Sequence, residues 1–207
     1  MPRQLVLASA SPARLGLLRA AGIEPGVVVS EVDERAVEDQ ARREQPELTP
    51  AALAQLLAEA KGADVAARLG GDDRLLLAGD SVLEIDGAVH GKPGTAPEAT
   101  RRWRAMRGRR GVLHSGHRLI DLATGRAVGR PASAAVSFAE ISDAEIEGYV
   151  ATGEPLHVAG GFTLDGLGAP FVTTVEGHPS TVVGLSLPLL RELLAELDVP
   201  WWQVAAG

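Results

Sequence analysis

The sequence predicts an α/β protein, and three observations lead there. Short leucine- and valine-rich runs alternate with stretches of helical apolar spacing from the first residues onward. Two of those stretches open on Ser-Pro or Thr-Pro, the signature of a capped helix start with proline in its first turn. A chain of 207 residues, 45% hydrophobic and 23% charged, is long enough for one substantial packed unit but not for an array of modules.

Taken in order, Leu5–Ala8 reads as a strand, Ser9-Ala10-Ser11-Pro12 as a loop, and Arg14, Leu17, Leu18 and Ala21 as a helix ending at Gly22. The N–H groups around Ser9 and Ser11 then lie at a helix N-terminus, where phosphate binds readily. Val27–Val29 reads as a strand leading into Ser30-Glu31-Val32-Asp33-Glu34. The stretch from Arg35 to Glu47 has little apolar periodicity and reads as an exposed loop or a solvated helix. Thr49-Pro50 opens a helix through Leu53, Leu56, Leu57 and Ala60 to Leu69, with Lys61 in its middle. Leu75–Ala78 is a buried-type strand delivering Gly79-Asp80-Ser81 at its C-terminal end, where open α/β sheets place ligand groups.

Val82–Ile85 and Ala88–His90 flank the tight turn Asp86-Gly87, and Gly91-Lys92-Pro93-Gly94 follows as a loop. A helix is expected from Pro97 to Met106, then a hairpin of Val112–Leu122 and Ala132–Phe138 around Thr124-Gly125. Ser142-Asp143-Ala144-Glu145 is a capping box opening a helix that ends before Gly153. A glycine-rich stretch from Ala159 to Gly168 precedes a strand at Phe171–Val175, and Leu187–Leu197 forms the last helix.

A net charge of −7 argues against binding to a nucleic-acid polymer, which needs a basic surface to displace counterions. A small phosphorylated ligand held by a few convergent cations remains compatible with it. The chain has no cysteine, so any metal must sit on oxygen or imidazole. The serines at 9 and 11 interrupt the first apolar run too early for a signal peptide or a membrane span, and a cytoplasmic location is expected. Of 20 basic residues only Lys61 and Lys92 are lysines, which marks either places needing a compact ammonium or two solvated side chains.

Singly the motifs are weak. Serines cap helices everywhere, and an aspartate leaving an apolar strand is either a turn residue or one that is paired, protonated or metal-bound. Order and spacing carry more: LASASPARLGLL, then VSEVDE, Lys61, GDSV, HGKP, Ser115-Gly116, ISDAEIEGYVATGEP, AGGF and VVGLSL follow one another along the chain. In this series the chain resembles the Maf family, septum-formation inhibitor relatives regarded as nucleoside triphosphate pyrophosphatases, from about Leu5 to Leu197. Both lysines fall on motif positions.

The resemblance implies one α/β domain over residues 1–207. It would have two lobes around a central cleft and a long mixed sheet, similar to the inosine triphosphate pyrophosphatases, commonly as a homodimer. It implies hydrolysis between the α- and β-phosphates, with Asp80 as general base and Arg14, Lys61 and Lys92 on the phosphates. Glu34 and Asp80 would hold Mg²⁺ or Mn²⁺, and Ser9, Ser11, Ala13, Ser81, His157 and Asp165 would line the substrate site. A regulator of septum formation that binds nucleotide without catalysis is the competing reading, against which Asp80 and the two lysines stand.

The chain departs from the family pattern around the base. One of two arginines after Ser-Pro is Ala13, Ser81 replaces a threonine, and Asp-Lys-Ala-Gly reads His157-Val158-Ala159-Gly160. Asp165 stands where pyrimidine-selective members have glutamine; a carboxylate only accepts hydrogen bonds, which suits the N–H edge of guanine. These changes resemble relatives acting on 7-methylguanosine triphosphate, so modified or purine nucleotides are expected over dTTP or UTP. With Gly166 beside it, Asp165 reads equally as a turn residue.

Overall fold

A computed structural model describes residues 3–205. In chain order the strands are β1 (Leu5–Ala8), β2 (Gly26–Val27), β3 (Leu75–Ile85), β4 (Ala88–His90), β5 (Arg110–Asp121), β6 (Ala127–Gly129), β7 (Ala132–Phe138) and β8 (Val172–Glu176). The helices are α1 (Pro12–Ala20), α2 (Glu34–Glu44), α3 (Pro50–Leu69), α4 (Ala96–Met106), α5 (Asp143–Ala151), α6 (Pro179–Val183) and α7 (Leu187–Glu196). The strands form one mixed sheet in the order β2-β1-β3-β5-β7-β8, with β4 on β3 and β6 on β5. β2, β1 and β3 run parallel, and the remaining pairs are antiparallel. The α/β class and the long mixed sheet are as the sequence predicts.

Alternation along β3 assigns its two faces. Leu76 and Ala78 pack with Val65 of α3, and Val82 with Leu53 and Leu57 of the same helix. Leu75 and Leu77 face Leu18 of α1 and the leucines of α7, whereas Leu83 and Ile85 face Trp103 of α4 and Ile146 of α5. Trp103 is fully buried and meets Phe138, Tyr149 and Phe171 edge-on, at ring-centre distances of 5.5–5.7 Å. Its indole Nε1 donates to the Gly161 carbonyl at 2.8 Å, which ties the glycine-rich stretch to this core.

α3 lies unusually close to the sheet because glycines remove the side-chain layer between them. A Cβ on Gly116 of β5 would stand 2.2 Å from the Ala54 carbonyl oxygen, and one on Gly62 would stand 3.1 Å from Arg118 Cγ. That close approach lets a lysine in mid-helix reach a strand carboxylate.

Two expectations change, and two are made more definite. Gly79-Asp80-Ser81 is not a turn at a strand end: β3 runs unbroken through it, because β5 pairs with all three residues, opposite His117, Gly116 and Ser115. What ends near there is β1, whose pairing with β3 stops at Ala8 opposite Ala78, so Asp80 lies just past its parallel neighbour. The strand at Val27–Val29 shrinks to Gly26–Val27. The charged stretch after Glu34 is a helix, started by Asp33 accepting from Ala36 N–H at 3.0 Å. The hairpin between β5 and β7 carries the short β6 on its return limb.

Candidate active site

Below the carboxyl end of β1 the sheet borders a cavity of about 670 Å³, lined from one side by Ser9–Arg14, Ser30, Glu34, Lys61, Asp80 and Ser81. Lys92, Glu154, residues 157–159 and residues 162–166 also line it. Every site residue expected from the sequence lines this one cavity: Ser9, Ser11, Ala13, Arg14, Glu34, Lys61, Asp80, Ser81, Lys92, His157 and Asp165.

Arg14 is set first. Ser11 caps α1 by accepting from the Arg14 N–H at 3.3 Å, and Pro12 occupies the opening turn, so the arginine side chain projects from the first turn of α1. Its guanidinium is buried and held by neutral oxygens: Nε donates to the Gly184 carbonyl at 2.8 Å, Nη1 to Ser9 Oγ at 3.0 Å and Nη2 to Ser81 Oγ at 2.9 Å. Burial pushes its pKa down, while the charges of Asp80 and Glu34 pull it back up. An arginine stays protonated through such a contest. Ser81 extends the network, sharing a 2.8 Å hydrogen bond with Ser115 Oγ, which donates to the Thr181 carbonyl at 3.0 Å. Ser11 thus caps the helix, while Ser9 accepts from both the Ser11 N–H and the guanidinium.

Asp80 and Ser81 are neighbours on β3 and leave opposite faces of the sheet, toward α3 and α1 respectively. Asp80 meets Lys61: Nζ lies 2.6 Å from Asp80 Oδ1 and 2.8 Å from Glu34 Oε1. The lysine and aspartate side chains are each 11% exposed, the glutamate 50%. Such a triad carries one net negative charge. Among the described residues no group of three or more His, Asp or Glu side chains is placed to hold a metal ion by itself. Two carboxylates do suit a magnesium-type ion that takes its remaining ligands from phosphate oxygens and water.

The opposite rim is built from loops. Lys92 is exposed in its loop and makes no ion pair among the described residues. The Gly91 carbonyl beside it accepts from Arg102 Nη1 at 2.5 Å and from Gly160 N–H at 3.2 Å. Gly160 has φ +73°, and a Cβ there would meet Leu83 at 2.7 Å, so the close turn requires glycine. His157 and Asp165 are exposed on the cleft wall, with no hydrogen bond between them among the described residues.

Glu154 is a member of this wall to which residue spacing assigned no role. It accepts from Thr163 Oγ1 at 2.5 Å, Tyr149 Oη at 3.0 Å, Leu167 N–H at 3.0 Å and Gly168 N–H at 3.1 Å. Burial pushes its carboxyl up, but those donors outweigh it and hold the pKa below the usual range. It shapes the loop that carries Asp165. Only its place between Gly153 and Pro155 in a quoted motif marked it in the sequence. The Gly184 carbonyl, a backbone group, left no mark at all.

The long arginine run offers no second anion site. Arg101 and Arg102 pair with Glu98, Arg104 and Arg107 with Asp143, Arg109 with Asp86 and Arg110 with Glu176. No helix among the described residues is long and apolar enough to cross a membrane.

The sequence model of a family described as Maf-like protein matches residues 4–197. A protein named nucleoside triphosphate pyrophosphatase from Leifsonia xyli subsp. xyli is 56% identical over 206 residues, covering 97% of this chain and 96% of its own. Proteins of the same name from Salinispora tropica and Streptomyces coelicolor are also 56% identical, over 203 and 195 residues. They cover 97% and 94% of this chain and 86% and 91% of theirs. Among solved structures, a HAM1 protein from Coxiella burnetii aligns over 95% of this chain and 96% of its own, with TM-score 0.41 and 14% identity, too loose a likeness to build on.

Proposed function

Since this chain belongs to the Maf family, we propose that it hydrolyses nucleoside triphosphates to nucleoside monophosphate and pyrophosphate in its cleft. The observation that carries the reading is the convergence, from separate segments of the chain, of Arg14, Lys61 and Lys92 with Glu34 and Asp80 on one cavity. A triphosphate needs cations on its non-bridging oxygens and a positioned base for the attacking water. In this cleft Arg14 is held ready for the phosphates without a neutralising carboxylate in direct contact, and Lys92 reaches them from the exposed rim.

Asp80 takes the part of the base. Lys61 binds its Oδ1, leaving Oδ2 to orient a water and take its proton as the water oxygen attacks the α-phosphorus. The bond from that phosphorus to the bridging oxygen breaks, and pyrophosphate leaves with the electron pair. Glu34 and Asp80 are the residues to hold a divalent cation with the nucleotide; when bound, that ion supplies charge stabilisation of the leaving pyrophosphate. His157 and Asp165 face the base. An accept-only carboxylate at 165 favours a guanine-type base, whose edge presents two adjacent N–H donors, over dTTP or UTP, whose single N–H lies between two carbonyls. A cytoplasmic homodimer completes the reading.

The test is product analysis on a nucleotide panel with Mg²⁺ or Mn²⁺. Monophosphate plus pyrophosphate supports the hydrolase, whereas orthophosphate, a transfer product or no turnover rejects it. A strong preference for dTTP rejects the assignment of Asp165 alone.

A further inference from the structure

The segment that brings Glu34 to the cleft has almost no main-chain support of its own. β2 is two residues long, the Val28 N–H donates to the Leu7 carbonyl at 3.1 Å, and from Val29 through Val32 no main-chain-to-main-chain hydrogen bond is made among the described residues. Yet Val29 and Ser30 line the cavity, and the segment ends at Asp33, the cap of the helix whose first residue is Glu34.

Side chains of α3 supply what the main chain lacks. Asp64 Oδ2 accepts from Ser30 Oγ at 2.9 Å and from the Glu31 N–H at 2.9 Å. Arg68 Nη2 donates to the Val29 carbonyl at 2.6 Å and to Asp64 Oδ2 at 3.0 Å, and Nη1 reaches Glu31 Oε1 at 3.3 Å. Ser30 Oγ in turn accepts from the Val32 N–H at 3.2 Å. The donors to Asp64, the Glu31 amide first, hold its carboxyl below the usual range. Lys61, Asp64 and Arg68 stand three and four residues apart on one stripe of one helix. The helix that carries the ammonium also carries the groups that fix the approach of its second carboxylate.

We infer that Asp64, steadied by Arg68, is a positioning residue that fastens the segment from Val29 to Asp33 onto α3 and so sets where Glu34 meets Lys61. The consequence for turnover rests on the hydrolase reading, in which Glu34 holds the cation; the fastening itself does not. Outer partners that orient an oxygen ligand typically contribute about 10–100-fold in metal affinity or activity. Arg14 and Lys92 lie on other elements, so nucleotide binding depends less on Asp64.

The experiment compares wild type with Asp64→Ala and Asp64→Asn. In the metal-free protein, amide hydrogen exchange at Glu31 and Val32, the two bonded amides of the segment, should quicken by about tenfold or more in Asp64→Ala, while β1 and β3 keep their protection. In pyrophosphate release, the half-saturating Mg²⁺ concentration should rise about tenfold with a smaller change in the nucleotide KM. Asp64→Asn, which keeps one acceptor oxygen, should fall between; should the alanine variant fail to fold, it carries both readouts alone. Wild-type exchange in this segment, or an unchanged Mg²⁺ dependence in an active variant, overturns the inference. A wild-type protein releasing no pyrophosphate sinks the hydrolase reading instead, and the exchange result still decides the fastening.

Discussion

His117 makes folding stability sensitive to mild acid. It sits on β5 with no exposed surface, and its Nε2 accepts from the Ser186 N–H at 2.8 Å, at the start of α7. Nδ1 must therefore carry the proton of the neutral ring. It makes no hydrogen bond, since the carbonyls of Ser115 and Arg130 lie nearby without closing one. A second proton would set an N–H against the Ser186 N–H, in a site closed off from solvent and near the Arg14 charge. Burial first, and Arg14 second, push its pKa from 6.5 down to about 4. The unfolded chain takes up a proton as pH falls through 6.5, and the folded one resists until about 4, so stability is full above 6.5 and is lost across that window. At about 1.4 kcal/mol per pH unit the loss from this one group reaches about 3 kcal/mol. Urea unfolding at pH 7 and pH 4 measures it against His117→Gln, whose amide oxygen accepts from Ser186 without titrating. Wild type should lose about 3 kcal/mol more than the variant over that interval. Equal losses, or an imidazole seen by NMR to titrate near its ordinary value, would refute the reasoning.

Four further substitutions have expected outcomes. Asp80→Asn should lower turnover by roughly a hundredfold or more with a smaller effect on nucleotide binding; wild-type kcat in steady-state assays would remove Asp80 from its role. Gly116→Ala drives a methyl group into the Ala54 carbonyl and should cost about 1–3 kcal/mol in urea unfolding, with kcat falling as Lys61 is lifted from Asp80. Lys92→Ala should raise the nucleotide KM and leave the melting temperature unchanged. Arg14→Ala, which strands Ser9, Ser81 and the Gly184 carbonyl, should also lose about 1–3 kcal/mol of stability, so equal thermal stability of the two variants contradicts the account of Arg14.

Local chemistry made most elements legible: Ser11-Pro12, Thr49-Pro50 and the Ser142 capping box each start a helix where read. Asp80 was placed in the cleft for a reason that needed amending. Gly79-Asp80-Ser81 has the composition of a turn, and only its pairing with β5, supplied by residues more than thirty positions away, keeps it in a strand. Conversely, α2 showed little apolar periodicity because only buried Ala41 and half-buried Val37 fasten it, and its start depends on the Asp33 cap. The candidate site residues were legible through the order and spacing of motifs that resemble one family, since each residue alone reads equally well as a cap, a turn or a solvated charge. What stayed hidden were supports made of backbone or of ordinary residues: the Gly184 carbonyl, Glu154 behind its loop, and Asp64 with Arg68 on α3.

The mooring of Arg14 to uncharged oxygens has an electrical consequence. Lys61 is outweighed by the two carboxylates that touch it, while the guanidinium is touched only by uncharged oxygens, so charge of both signs stands on the cleft wall. A ligand whose own charge is lopsided, anionic at its tail and nearly neutral at its head, then has one favourable way round before any contact with its head is made.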